Sequence, residues 1–512
     1  MKILVIQLAR FGDIYQSWPS LRAIKRKYPG AEIHVLVRKR FVAALEGIGV
    51  DVQVHQLDTA SLLETFFKTH QTKTQIDIAK ALNRMAQFIN EFHLLEFDRI
   101  VNLSFSPFSS YLVKAISCKK TQVRGYTRHS DGYLSIPDNP SAYFYAQVGV
   151  GRMSRIHLTE IFASVAEVEL CDQDWLLLES QQHADHKDQI FEAFGIPLNK
   201  EYVVLHAGAS DRRKTLKEDD WGKVCNKLLK WWTGQIVLVG GPDEATSAQR
   251  ILEVAQSERV YSLVGKTRLP ELFPLLSSAA IVVGGDSVVL QMASLAQAEC
   301  FNLSFSSVRF WETGPREPGS RVLVLSTPES ANTDFIAKEL WHMAEGLAPA
   351  NQVALAAGDS PVWYQYESLN EKDDFSWDLI KALYLGDEFP AVISELQRHG
   401  FQRIYKFSEL AIAQIEVIKT NRREAGAVAA KTLGQLESLL GGLRRMVPEL
   451  DPLISWFETE KLRIGPGSVQ QLADHTRKVF ESLRLVAGLY TEHEVAICKE
   501  LEEGDADNNL VS

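Results

Sequence analysis

The sequence predicts an α/β protein: two tandem doubly wound units followed by an all-helical region. Three observations predict it. Short apolar runs of strand length alternate with helical stretches from residue 3 onward, and near-continuous apolar strands of this kind suit a parallel sheet covered on both faces. The alternation begins afresh near residue 202 with the run YVVLHAGAS. Beyond residue 345 the strand pattern stops and only helical periodicity continues.

The first run, residues 3–8, reads as a strand buried on both faces, and residues 14–27 as a helix with apolar Leu21 and Ile24 and basic residues in its last turns. Gly12 then falls in a strand-to-helix turn, where free backbone N–H groups and the helix dipole favour an anion. Asp13 is a carboxylate at such a place. Local sequence leaves two readings open, a helix cap and a catalytic acid or base. Residues 31–37 and 50–57 read as the next strands, 61–97 as polar and mostly helical, and 98–103 (DRIVNL) as another buried strand. Asn102, Ser104 and Ser106 lie at its carboxyl end, the edge where open α/β sheets hold ligands, so they are either acceptor contacts or solvated loop residues. Residues 122–126 read as a strand, 130–140 as a loop and 156–168 as a helix. A link is expected over 170–200, where 181–188 is polar and charged.

In the second unit, strands are expected at 202–210, 235–240, 260–264, 280–283, 300–303 and 322–325. Helices begin at Trp221 and span 245–255, 270–279 and 288–296. Three turns fall at the carboxyl ends of strands. The first carries Ser210, Arg212, Arg213, Lys214 and Lys217, a hydroxyl and four cations that either neutralise a diphosphate or form a solvated basic loop. The second, 240–244, has two glycines that let backbone approach a ligand, and Glu244, an acid suited to a ribose hydroxyl or to the next helix dipole. The third, 284–287, is again Gly-Gly, followed by Asp286 and Ser287 at a helix start.

A linker is expected over 345–360. Residues 375–490 carry helical stripes, with Leu472, Thr476, Val479, Leu483 and Val486 as the seam of a bundle or antiparallel coiled coil, and Ser468 with Gln471 as a capping box. These readings give an expected domain order of 1–170, 200–345, a helical bundle over 361–499, and an acidic tail, 500–512.

At 512 residues the chain exceeds one core. Its net charge of −10 and the lack of a basic run argue against nucleic acid as a partner. The five cysteines are dispersed without a CxxC spacing, which argues against a disulfide framework or a structural zinc site. No signal peptide or run long enough to span a bilayer is read, so a cytoplasmic protein is expected.

The stretches LARFGD (8–13), HAGASDRRK (206–214), LVGGPDE (238–244), GKTRLPEL (265–272) and GGDSVVLQMASL (284–295), in this order and spacing, resemble the family 9 glycosyltransferases, the heptosyltransferases of lipopolysaccharide synthesis, over residues 1–345. The resemblance implies a GT-B architecture of two Rossmann-like domains. It also implies an ADP-heptose-like donor on the second domain, a glycan or lipid-linked acceptor on the first, and inversion with no metal or other cofactor. Carried over by position, Asp13 becomes the general base. Ser210, Lys214, Gly285, Asp286, Ser287 and Gln291 become donor-binding residues, with Glu244 at the ribose and Arg10, Gly12 and Asn102 near acceptor or diphosphate. The same resemblance implies peripheral contact with the inner membrane. The sequence departs from the family in two places. Ser287-Val288 replaces the customary Thr-Gly, with Gln291 where a histidine is expected, and the loop SFSSVRFWETGPREPG replaces Phe-Gly-Pro-Thr. The region after residue 360 lies outside the resemblance; packing on the catalytic domains, self-association and binding of a protein partner are its three expected uses. Two rival readings remain at this point: a degenerate transferase serving as a scaffold, and a GT-B epimerase acting on a UDP-sugar.

Overall fold

The computed structural model describes residues 1–59, 75–151, 153–175, 180–209, 211–306, 308–349, 354–355, 362–365, 375–392, 394–420 and 424–491. The chain divides into two compact units. The first comprises residues 1–104, 118–121 and 156–371, and the second 105–117, 122–155 and 372–512.

The first unit holds both α/β halves. In the N-terminal half, β1 (Lys2–Ile6), β2 (Glu32–Arg38), β3 (Gln53–Leu57) and β4 (Arg99–Asn102) form parallel pairs in the order β3-β2-β1-β4. Helix α1 (Phe11–Lys27) follows β1, and α2 (Gln75–Leu95) precedes β4. β1 is buried from Ile3 to Ile6, as its apolar run requires. Helix α1 begins three residues before the expected start, because the Asp13 carboxylate caps the backbone N–H of Arg10. Gly12 therefore sits in its first turn and not in the loop before it.

The C-terminal half is an eight-stranded sheet built from β8 onward. Its strands are β8 (Tyr202–His206), β9 (Gln235–Leu238), β10 (Val260–Ser262), β11 (Ile281–Gly284), β12 (Cys300–Phe305) and β13 (Arg321–Leu325), with β14 (Ala354–Leu355) and β15 (Val362–Gln365) beyond them. The order is β10-β9-β8-β11-β12-β13-β15-β14, all parallel except the β14–β15 pair. The order reverses at β8 and β11, the switch point where such sheets hold ligands. Two expectations are corrected here. The stretch 345–360 is not a plain linker: Ala354–Leu355 pairs with Val362–Gln365, which continues the sheet beside β13. The polar link over 181–188 lies within a helix, Ser180–Ala193, that is anchored by buried Phe191 packing edge-on to Tyr202 at 4.9 Å.

The second unit is built from two separate stretches of chain. One supplies the helix α3 (Pro107–Ile116), strand β5 (Gln122–Gly125), the hairpin β6 (Thr127–Arg128) and β7 (Leu134–Ser135), and the helix α4 (Asn139–Tyr143) that runs on through 144–150. The other supplies five helices: Phe375–Leu385, Glu395–Thr420, Glu424–Met446, Asp451–Leu462 and Val469–Gly488. The bundle is therefore not the self-contained domain that the boundaries 361–499 imply. Gln147, fully buried, donates to Tyr384 Oη (3.3 Å) and to the Pro452 carbonyl (3.1 Å), and Tyr143 packs edge-on to Tyr384 at 5.0 Å. Leu483 is buried in the bundle seam as expected, while Ala473, Phe480 and Ala487 are buried in place of Leu472, Val479 and Val486, with Val479 and Val486 at the flank. The Ser468–Gln471 capping box forms as expected.

Candidate active site

The site is assembled from strand ends of the first unit. Between β8 and the helix Glu218–Trp231, the chain makes one turn of 3-10 helix, Arg212–Lys214, and the four expected cations part company there. Arg213 pairs with Asp211 (2.7 Å) and Lys217 with Glu329 (3.3 Å), both at the surface. Lys214 alone reaches the glycine-rich turn after β11, where its Nζ lies 3.0 Å from Asp286 Oδ2. Ser210 lies outside the described residues.

The turn 284–287 is shaped by Lys214 as well. A Cβ on Gly285 would come within 2.4 Å of the Lys214 carbonyl oxygen, a backbone atom that cannot give way. The next helix, Val288–Leu295, has Ser287 as its N-cap, yet the Ser287 hydroxyl makes no capping bond. Its Oγ is buried with no hydrogen-bond partner among the described residues. A buried hydroxyl normally finds a partner, and none of the described residues supplies one here.

Glu244 occupies a niche between β8 and β9. Its Oε2 accepts from the Gly241 N–H at 2.7 Å and lies 3.4 Å from His206 Nε2. The niche exists because Gly208 has no side chain: a Cβ there would fall 1.3 Å from Glu244 Oε1. Burial pushes the carboxyl up, but the hydrogen bond and charge of His206 and the Gly241 N–H outweigh it and hold Glu244 below its usual value. Sequence reasoning missed His206, which is 6% exposed and whose Nδ1 has no partner among the described residues. A histidine closing a strand, just before the glycine turn, was the available signal. Beside Glu244, a cavity of about 140 Å³ is lined by Ala207, Arg212, Trp221, Ser247 and Ile251. That is well under the roughly 300–1,000 Å³ of a pocket for a whole drug-sized ligand, so it suits one moiety of a larger one.

Across from these turns stands the N-terminus of α1. Asp13 Oδ2 accepts from the Arg10 N–H at 3.0 Å. Desolvation raises its pKa, opposed by the Arg10 hydrogen bond and charge and reinforced by the charge of Asp286. A carboxylate held above its ordinary range is better matched to proton abstraction near neutral pH. The first turns of the two helices touch: a Cβ on Gly12 would lie 3.5 Å from Gln291 Cγ, and Gln16 Nε2 donates to Gln291 Oε1 at 2.9 Å. Gln291 Nε2 in turn donates to the Thr313 carbonyl, so both ends of this buried amide are engaged within the protein. Asn102 is also fully buried. Its Oδ1 accepts from Ser104 N, and Ser104 Oγ accepts from Leu8 N, so the two residues tie the ends of β1 and β4 together. Asp13, Lys214, Gly285, Asp286 and Ser287 thus come together around the facing helix starts, with Arg10 and Gly12 on the Asp13 side. Glu244 stands beside the cavity at the end of β9. Among the described residues no cluster of three or more His, Cys, Asp or Glu could hold a metal ion.

Comparison with known proteins bears on this geometry. Residues 85–298 match the family model described as glycosyltransferase family 9 (heptosyltransferase). Over those residues the chain is similar to the family 9 glycosyltransferases. Lipopolysaccharide heptosyltransferase 3 of Escherichia coli is 22% identical over 298 residues, which are 57% of this chain and 79% of that one. A Haemophilus influenzae protein described as a glycosyltransferase is 21% identical over 295 residues, with the same coverage. In structure, the ADP-heptose lipopolysaccharide heptosyltransferase II of E. coli matches with a TM-score of 0.50 at 16% identity, covering 68% of this chain and 99% of its own. At that identity the likeness speaks for the fold: the two tandem doubly wound halves are the GT-B architecture. Among the described residues no helix is long and apolar enough to cross a membrane.

Proposed function

We propose that the chain is a glycosyltransferase of the heptosyltransferase kind, moving a heptose-like sugar from an ADP-sugar to a lipopolysaccharide-core or other glycan acceptor in one inverting displacement. Asp13 takes the proton from the acceptor hydroxyl. The acceptor oxygen bonds to the anomeric carbon from the face opposite the departing diphosphate, and the bond from that carbon to phosphate oxygen breaks. Charge then accumulates on the diphosphate, which Lys214, the Ser287 hydroxyl and the N-terminus of the helix Val288–Leu295 neutralise without a divalent cation. Glu244 takes the ribose hydroxyls, and the neighbouring cavity takes the base. The observation that carries the reading is the buried, unpartnered Ser287 Oγ at a helix start, on the same turn as the Lys214–Asp286 pair.

Calorimetric titration with ADP, UDP and GDP tests the donor half. ADP is expected to bind in preference to the others and to bind at least tenfold more weakly to Lys214→Ala and Ser287→Ala. Failure of all three nucleotides to bind would overturn the reading and favour the scaffold. Turnover with ADP-heptose is expected to survive chelation of divalent ions; its loss in EDTA would remove the metal-free mechanism.

A further inference from the structure

We propose that Lys214 is exchanged between Asp286 and the donor diphosphate, so that donor arrival leaves the Asp286 carboxylate unpaired beside Asp13 and makes Asp13 a stronger base only in the loaded site. The inference rests on the donor site proposed above and concerns how that site governs its base.

The geometry sets up the exchange. Lys214 and Asp286 are paired at 3.0 Å on adjoining turns, each side chain about one-fifth exposed, so a ligand entering the turn meets the cation directly. A diphosphate carries more negative charge than one carboxylate, and it brings a further partner for the vacant Ser287 hydroxyl that Asp286 does not satisfy. A lysine ammonium on its flexible stem can swing from one anion to the other without backbone movement.

The second half of the argument is the distance over which Asp286 acts. The helix Val288–Leu295 begins two residues after Asp286, and its Gln291 is hydrogen-bonded to Gln16 and packed against Gly12, the residue before Asp13. The two helix starts are thereby fixed against each other, and Asp286 is already near enough for its charge to raise the affinity of Asp13 for a proton. The charged groups bearing on Asp13 are then Arg10, at the head of its own helix, and Asp286 from the facing turn. Arg10 favours the carboxylate through its charge and through the N–H that it donates to Asp13 Oδ2. A cation 3.0 Å from Asp286 offsets part of the field of that carboxylate by elementary electrostatics, and on this proposal its departure is the change that the donor brings. A base that gains strength with the donor in place withholds proton abstraction from an acceptor that arrives alone. Asp286 is on this account a positioning residue, acting on the acceptor hydroxyl through Asp13.

Two measurements test the exchange. In the ligand-free protein, NMR titration of ¹³C-labelled aspartate carboxyls is expected to place Asp13 higher in Lys214→Gln than in the wild type, and to return it to wild type or lower when Asp286→Asn is added. An Asp13 titration unchanged by Lys214→Gln would overturn the proposal, and this arm needs no nucleotide. In calorimetry with ADP in buffers of different ionisation enthalpy, wild type is expected to take up more protons per ADP than Asp13→Asn, and Asp286→Asn is expected to lose that excess. An excess undiminished in Asp286→Asn would mean that the charge of ADP acts on Asp13 by itself, and would overturn the exchange. Binding of ADP with no excess overturns it also, while absence of ADP binding in the wild type overturns the donor site itself.

Discussion

A single carboxylate at the head of α1 serves two ends: it caps the helix through the Arg10 N–H, and it stands in the site with a raised proton affinity. Asp13→Asn keeps the side-chain shape and one acceptor oxygen for the cap, and removes the base. Turnover is expected to fall about 10²–10⁴-fold, the usual worth of a general base, with ADP affinity changed less than threefold; a turnover loss matched by loss of ADP binding would make the effect structural. The acid limb of kcat/KM is expected to lie above the ordinary 3.8 of an aspartate, with the rate rising as Asp13 ionises, because burial disfavours the anion. Gly285→Ala puts a methyl group into the Lys214 carbonyl, so the turn must open. ADP binding is expected to fall at least tenfold while the melting temperature changes little, and calorimetry beside a thermal melt separates the two. The glycine pair 284–285 was readable in the sequence as a turn suited to close approach, whereas Gly208 was not singled out. What Gly208 and Gly285 approach was not readable, because the contacts join residues far apart in the chain: Glu244 in one case and the Lys214 carbonyl in the other. The same holds for Gln291, whose departure from the family was visible while its two hydrogen bonds to Gln16 and Thr313 were not.

Elements whose apolar residues follow a strong period were legible, and those made by a few anchoring contacts were not. The strand Ile281–Gly284 declares itself through four consecutive buried residues. The helix Ser180–Ala193 is polar along most of its length, and Phe191, buried against Tyr202, fixes it in a way that no local pattern reports. The helix Leu158–Ala166 shows a further dependence on contacts from elsewhere. Its N-cap is His157, whose Nδ1 accepts from Thr159 N (3.2 Å) while Nε2 donates to the Gly314 carbonyl (3.1 Å). Burial, and then the charge of Arg316, push this imidazole down to about 3 against the help of the Gly314 bond. The unfolded chain takes the proton near the ordinary 6.5 while the folded one refuses it. Stability is therefore unaffected by this group above pH 6.5 and declines as pH falls from there toward 3, with a slope approaching about 1.4 kcal/mol per pH unit. His157→Gln retains one donor and one acceptor and does not titrate. Urea unfolding across this range is expected to show a shallower acid loss for the variant than for wild type; parallel curves would place the acid sensitivity elsewhere, for instance at buried His34 and its neighbour His55.

At the scale of the whole molecule, the chain joins a GT-B pair to a second unit drawn from two distant stretches, and this was the part least visible in the sequence. Helical periodicity predicted the bundle correctly as helices. It could not predict that residues 105–117 and 122–155 would belong with the bundle, since nothing periodic links them to it. The consequence is that residues 372–512 are not a removable appendage. A chain ending at residue 371 deprives Gln147 of its acceptors Tyr384 Oη and the Pro452 carbonyl, and uncovers Tyr143 where it packs on Tyr384. Each buried amide left without a partner costs about 1–3 kcal/mol, and the exposed aromatic surface adds to that. Limited trypsin digestion is expected to cut the truncated protein within 122–155, where Arg124, Arg128 and Arg155 offer sites, at least tenfold faster than the full chain, because local opening sets the rate. The strands of the eight-stranded sheet, whose partners all lie within residues 202–365, are expected to resist in both. Equal protection of 122–155 in the two chains would mean that this stretch folds on its own and that the bundle only rests against it. Preferential cutting there would establish that the helices complete a fold begun within the first 155 residues.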